Sequence, residues 1–240
     1  MLKAALTVLL LSISAAAVAA APGGISISPV LLKLNAGQAS IAVTVRNDTD
    51  QTKVFQADPV SWRHQDGADV LQATPAIIAS PPLFRLAPGA RQVLRVGLAD
   101  APAAQQNEKT YRIFLQEIPD QSVKEGGTQL RMLLRFGLPL FIAPDKPAPE
   151  SLVWHARRRA AGIELEVTNI GNVHARLSEL AVTPQGTTTT LPVDGFVYVF
   201  AGESHHWTLT PPKNWSGTML KRSVRTDQGV SSADLPLEGG

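Results

Sequence analysis

Apolar residues recur at every second position through much of the chain, as in Ile41, Val43 and Val45 and again in Ile163, Leu165 and Val167. A period of two marks a strand with one face buried and one face wet, and helical periodicity is nearly absent. Turn-forming clusters punctuate these runs at short intervals: Asn47 to Asp50, Asp66-Gly67, Pro88-Gly89, Gly126-Gly127, Asn169 to Asn172 and Asp227 to Gly229. Short strands with regular turn signals predict β-sandwiches, so the fold class is expected to be all-β.

The pattern also repeats. Ile41-x-Val43-x-Val45-x-Asn47 is echoed 122 positions later by Ile163-x-Leu165-x-Val167-x-Asn169, which predicts two related modules. Between them lie Pro144, Pro147 and Pro149, which withhold backbone donors and resist both helix and central strand. A hinge there divides the chain into a first sandwich over 21–144 and a second over 145–240; a long loop inside one domain is the alternative.

The first residues depart from this alternation. Lys3 precedes an apolar run from Ala4 to Leu11 and small residues ending at Ala19, Ala20 and Ala21, the layout of a secretory signal peptide over 1–20. The run is short for a helix crossing a hydrocarbon core of roughly 30 Å, and no later stretch approaches the ~20 apolar residues required. A soluble, exported chain without membrane insertion is expected, with an amino-terminal anchor as the alternative.

Composition removes several function classes. With no cysteine, neither a disulfide frame nor a thiolate site is available, and stability must come from packing. A net charge of +2 spread over scattered Arg and Lys makes nucleic acid an unexpected partner. His64, His155, His174, His205 and His206 lack metal-ligand spacing. Phosphate loops, nucleophile elbows and compact carboxylate pairs are also missing, so no enzyme, cofactor or metal is expected. Trp154, Trp207 and Trp215 are read as core or rim residues of the second sandwich, with a sugar-binding platform as the alternative.

One segment stands out. From Gln129 to Ile142, Leu130, Met132, Leu134, Phe136 and Leu138 form a continuous apolar face, alternating with Arg131, Leu133, Arg135 and Gly137. It directly precedes the hinge and is therefore expected to be the last strand of the first sandwich, at a sheet edge. Soluble proteins blunt such edges with charge, bulges or shortness. Either a neighbouring strand covers this one, or it stays exposed to pair with another chain.

Three ordered motifs bear on that choice: Ser80-Pro81-Pro82-Leu83-Phe84-Arg85-Leu86-Ala87-Pro88-Gly89-Ala90-Arg91, then Tyr111-Arg112-Ile113-Phe114-Leu115-Gln116-Glu117-Ile118-Pro119, then Leu130 to Pro144. In order and spacing they resemble the periplasmic pilus chaperones of the chaperone-usher family. The resemblance implies two immunoglobulin-like β-sandwiches joined by the Pro-rich hinge in a boomerang arrangement. It also implies a periplasmic location and, as partners, pilus subunits and an outer-membrane usher, with self-association possible in the free state. A structural pilus subunit or adhesin, or a carbohydrate-binding sandwich, is the competing reading.

By the same resemblance, Leu130, Met132, Leu134 and Phe136 would enter the open groove of a subunit that lacks its last strand. Four such side chains would contribute about 6–12 kcal/mol before ordering costs. The family also holds the subunit's terminal carboxylate with basic side chains, but their usual positions fall here near Leu31 or Leu32 and at Pro139. That departure points to a divergent branch similar to the archaic, spore-coat-protein-like chaperones. It leaves Arg112, Lys33 and, secondarily, Arg135 as candidate anchors. Arg95, Glu117 and Asp227 occupy the positions of the family's internal ion pair and are expected to hold the two domains at a fixed angle.

Overall fold

The computed structural model describes residues 23–65, 67–119, 132–191, 193 and 195–239; the leader expected over 1–20 and Leu130 therefore lie outside the described residues. The alternation seen in the sequence becomes strands. The first group is β1 (Ile25–Ser28), β2 (Leu32–Leu34), β3 (Ser40–Asn47), β4 (Lys53–Gln65), β5 (Ala68–Ala73), β6 (Ile77–Ser80), β7 (Leu83–Leu86), β8 (Arg91–Leu98), β9 (Lys109–Ile118) and β10 (Arg135–Ile142). The second is β11 (Leu152–Arg159), β12 (Gly162–Asn169), β13 (Ala175–Pro184), β14 (Val197–Val199), β15 (Ser204–Leu209), β16 (Met219–Thr226) and β17 (Gly229–Glu238). The two sandwiches expected from the repeat and the turns are present, immunoglobulin-like as the resemblance implies, and joined by the proline-containing stretch between β10 and β11.

In the first sandwich a sheet ordered β1-β3-β8-β6 packs on a sheet ordered β2-β10-β9-β4-β5, with β7 joined to β4. Phe55, Leu94, Ile113, Leu115 and Leu140 fill the space between them. In the second, strands ordered β14-β13-β16-β17-β11-β12-β15 enclose Ile163, Leu165, Leu177, Val182 and Leu220. Trp154, Trp207 and Trp215 pack against that second core, with Trp154 and Trp207 stacked at 6.0 Å between ring centroids.

The sequence repeat has a physical meaning at its last residue. Asn47 and Asn169 are both fully buried, each at the end of the strand that carries the repeat. The Asn47 carboxamide donates to the carbonyls of Gln51 and Leu86 and accepts from the Thr49 amide. The Asn169 carboxamide donates to those of Val173 and Val199 and accepts from the Gly171 amide. Each side chain thus closes the turn two and four residues on and ties it to another part of its own sandwich. An uncharged side chain with donors and an acceptor is required, since water cannot reach the site.

The donor-strand segment is shorter than its apolar pattern predicts. The ladder between β10 and β9 opens with Arg135 opposite Gln116, and β9 ends at Ile118, so Met132 and Leu133 have almost no partner strand to extend along. Of the four apolar residues assigned to it, Phe136 alone lies within the strand, while Leu134 and Met132 precede it.

Two substitutions test this packing. Asn169→Ala leaves buried backbone groups without partners and is expected to destabilise the chain by roughly 1–3 kcal/mol, read as a lower Tm in calorimetry. Arg222 points into the second core with its ring-facing guanidinium 4.6 Å from Trp154, and its Nε and Nη1 atoms have no protein partner. Arg222→Met is therefore expected to be neutral or stabilising, because it removes a desolvated charge of little compensation. A marked fall in Tm would show that the guanidinium is better satisfied than its contacts indicate.

Candidate functional site, an open strand edge leading into an interdomain cleft

Strand β10 is paired with β9 from Arg135 to Ile142, but on its other side β2 joins it only from Leu140 to Ile142, in parallel. Among the described residues no strand covers Arg135 to Pro139 on that side. The stretch before it is apolar and partly open: Met132 is 79% exposed and Leu133 44%, Leu134 is half-buried, and Phe136 leans on the first core with its ring 6.4 Å from Phe55. The protections against strand addition that this edge carries are a charge and a proline, Arg135, with its guanidinium 3.8 Å from the Phe114 ring, and Pro139, and among the described residues no strand covers it.

The exit point of the strand is fixed by a buried ion pair. Glu117, 1% exposed, accepts from Lys53 Nζ at 2.9 Å and from the Leu134 amide at 3.3 Å, while its own amide donates to the Leu134 carbonyl at 2.7 Å. This corrects the expected trio. Arg95 alternates with the inward Leu94 and Val96 on β8 and so faces outward, donating to Ser40 Oγ at 3.2 Å. Asp227 is exposed in the turn between β16 and β17. The three are not brought together, and Glu117 is bound within the first sandwich.

The domain junction is built differently, from aromatic rings and two histidines. Trp62 and Phe141 of the first sandwich are buried against Phe200 of the second, with Leu31 and Tyr198 alongside. His64 stacks on Phe200 at 4.4 Å and bonds Glu203 Oε2 through Nδ1 at 2.8 Å. In the reverse direction, His174 of the second sandwich stacks on Phe141 at 3.7 Å and bonds Glu108 Oε2 of the first through Nδ1 at 2.6 Å. Each sandwich therefore presents one histidine to an aromatic ring and a carboxylate of the other. Sequence reasoning weighed these histidines only as metal ligands; residues this far apart in sequence give no local spacing signal.

Where the junction opens, a cleft of about 620 Å³ is lined by Leu31, Trp62, Asp69, Arg112, Gly137 and Pro139 from the first sandwich and by Arg176, Phe196, Tyr198 and Asp227 from the second. Arg112 lines the cleft. Its guanidinium lies 3.7 Å above the Trp62 ring and its Nη1 pairs with Asp69 Oδ2 at 2.9 Å. Burial acts to raise the Asp69 carboxyl, but the Trp62 N–H bond and the Arg112 charge outweigh it and hold it below its ordinary value. Lys33 is exposed on β2 and does not line the cleft. Leu31 and Pro139, the positions where a cation is missing, both do. Arg176 was not anticipated, since a lone arginine on an alternating strand carries no signal of its own.

Residues 24–148, just over half of the chain, match the model of the pili and flagellar-assembly chaperone PapD N-terminal domain. The chain belongs to the PapD-type pilus and flagellar-assembly chaperone family. Among curated relatives it is similar to the probable fimbrial chaperone protein ElfD of Escherichia coli strain K12, 29% identical over 140 residues that make up 58% of this chain. The aligned part is 57% of ElfD, so the chain spans little more than half the length of the curated relatives it matches. The fold of the PapD-type chain is also that of solved structures. One is a chain of the CsuC–CsuE chaperone–tip adhesion subunit complex from the archaic Csu pili of Acinetobacter baumannii (TM-score 0.67, 20% identity, 90% of this chain and 100% of that one). Another is a chain of the Salmonella enterica SafA pilin–SafB chaperone complex (TM-score 0.59, 20% identity, 91% and 99%).

The junction generates its own prediction. His174→Ala removes a buried bond and a ring stack and leaves Glu108 short of a partner, at an expected cost of roughly 1–3 kcal/mol. Spin labels on the two sandwiches should then show a broader distance distribution by electron resonance. An unchanged distribution would assign the interdomain angle to the contacts that remain, the aromatic rings and the His64–Glu203 bond among them.

Proposed function

We propose that this protein is a periplasmic chaperone of the chaperone-usher pathway, which captures pilus subunits by lending them the open edge of β10 and passes them to an outer-membrane usher. The observation that carries this reading is the uncovered edge at Arg135 to Pro139, preceded by exposed apolar residues, in a chain of this family. Strand addition has the right physics for the task. Backbone pairing gives affinity that is indifferent to sequence, and the alternating side chains select a partner with an apolar groove.

Met132, Leu134 and Phe136 are proposed as the donated side chains among the described residues, with Leu130 continuing the pattern. Arg112 is proposed to meet the subunit where its paired strand ends, its planar fork held in place by Asp69 and Trp62. The archaic branch is proposed from the cleft positions Leu31 and Pro139, where the usual cations are absent, and is supported by the likeness to the Csu chain. Export through the leader over 1–20 and division into domains at 144/145 complete the reading. Release needs no nucleotide, because an incoming strand can displace β10 by exchange of like for like.

Leu134→Glu tests the capture step. A carboxylate forced into an apolar groove loses its water without gaining a partner, so capture should be abolished while circular dichroism of the free chaperone stays unchanged. Co-purification of subunits at the wild-type yield would mean that another surface does the binding.

A further inference from the structure

The chain passes from the first sandwich to the second through residues 144–149, where Pro144, Pro147 and Pro149 have no amide hydrogen and Asp145, Lys146 and Ala148 supply the backbone donors. Two of those three amides are taken by the folded parts on either side. The Asp145 amide donates to the Gln105 carbonyl of the first sandwich at 3.0 Å, and the Ala148 amide donates to Asn172 Oδ1 of the second at 2.8 Å. Gln105 grips the start of the linker further: its amide donates to Asp145 Oδ2 at 3.1 Å and its Nε2 to the Ile142 and Ala143 carbonyls at 2.8 Å. The linker is strapped down near both ends.

Asn172 stands where these straps meet, in the turn between β12 and β13. Its Nδ2 donates to the Gln106 carbonyl of the first sandwich and to the Lys146 carbonyl of the linker, both at 3.0 Å, while its Oδ1 holds Ala148. Its backbone carbonyl accepts from the Glu108 amide at 2.8 Å, and two positions on the His174 amide and ring both reach Glu108 Oε2. One residue therefore joins a loop of the first sandwich, the linker and the second sandwich. A carboxamide can do this because it carries two donor hydrogens and an acceptor on one plane; a carboxylate of the same size would keep the acceptor and lose both donors. Two domains on a linker move relative to each other by default unless their interface is large and apolar, and proline stiffness alone leaves them free to swing. Bonds from one side chain to both flanking bodies remove that freedom. Asn172 itself does not line the cleft.

We infer that Asn172 is a positioning residue: it pins the linker to both sandwiches and so holds the interdomain angle at which the cleft exists. Its consequence for binding rests on the strand-lending reading above. A strand added to β10 stops where β2 takes over the edge, beside Leu31 and Pro139 of the cleft, so its capture depends on the angle and hence on a side chain that lies outside the cleft.

The test uses the full-length chaperone, which has no cysteine of its own, with spin labels on Ala42→Cys and Ala233→Cys, exposed positions of the first and second sandwich. Asn172 has a negative φ, so its replacement brings no backbone strain. Asn172→Asp and Asn172→Ala should broaden the distance distribution between the labels while circular dichroism stays that of the wild type, and Asn172→Gln, which keeps the donors, should restore part of the narrow peak. Capture, read as the yield of the subunit that co-purifies with the wild type, should fall about fivefold or more in the Asp and Ala variants. A distribution as narrow as the wild type's in both variants overturns the inference. So does full capture by a chaperone whose distribution has broadened, since the angle would then be of no consequence for binding. Leu134→Glu keeps this result apart from the strand reading: it should abolish capture with the distances unchanged, and if it captures normally the strand reading falls while the distances still decide whether Asn172 is the pin.

Discussion

Strand β10 is hydrogen-bonded to β9 along its full length but meets β2 over three residues only. Among the described residues, Arg135 to Pro139 are therefore left with no strand on that side, and an unpaired strand edge is a template for another chain. The consequences reach both ends. At the start, Glu117 and Lys53 hold Leu134 so that the apolar residues before it leave the sheet at a defined place. At the other end, the short β2 closes the edge and delivers any added strand to the cleft.

That cleft has a shape only because the two sandwiches are held together. Aromatic burial between Trp62, Phe141 and Phe200 contributes adhesion but little direction, since apolar contact is roughly indifferent to angle. The His64–Glu203 and His174–Glu108 bonds are directional, and each joins a histidine of one sandwich to a carboxylate of the other in opposite senses. Orientation thus comes from directional polar contacts set in an apolar joint, with the Asn172 bonds to the linker beside them. This is how Arg112 and Arg176, on separate bodies, line one cleft.

The fold was legible because alternation and turn chemistry are local. Ile41 to Asn47 and Ile163 to Asn169 announced two modules, and the structure gives both asparagines the same set of bonds. The cleft was legible only in part. Arg112 followed from its place on β9, whereas the Arg95, Glu117 and Asp227 trio failed because the partner of a buried carboxylate is set by sheet geometry. Lys53, on β4, lies beside Glu117 across the ladder from β4 to β9, a closeness that no sequence spacing encodes. The histidine–glutamate contacts and Arg176 were invisible for the same reason, being products of how two domains meet. The apolar run overstated β10, since hydrophobic pattern reports what a strand can bury and not where its partner strand ends.

Hydrogen–deuterium exchange resolved along 132–142 tests the central claim most directly, because it reads the edge itself. In the free chaperone the amides of Arg135 and Gly137 should include fast-exchanging sites, while those of Leu140 to Ile142, between β9 and β2, should be slow. On binding a subunit, the fast sites should become protected and the already slow ones should change little. If capture instead protects a different surface and leaves 132–139 exchanging as in the free protein, β10 is not the strand that is lent.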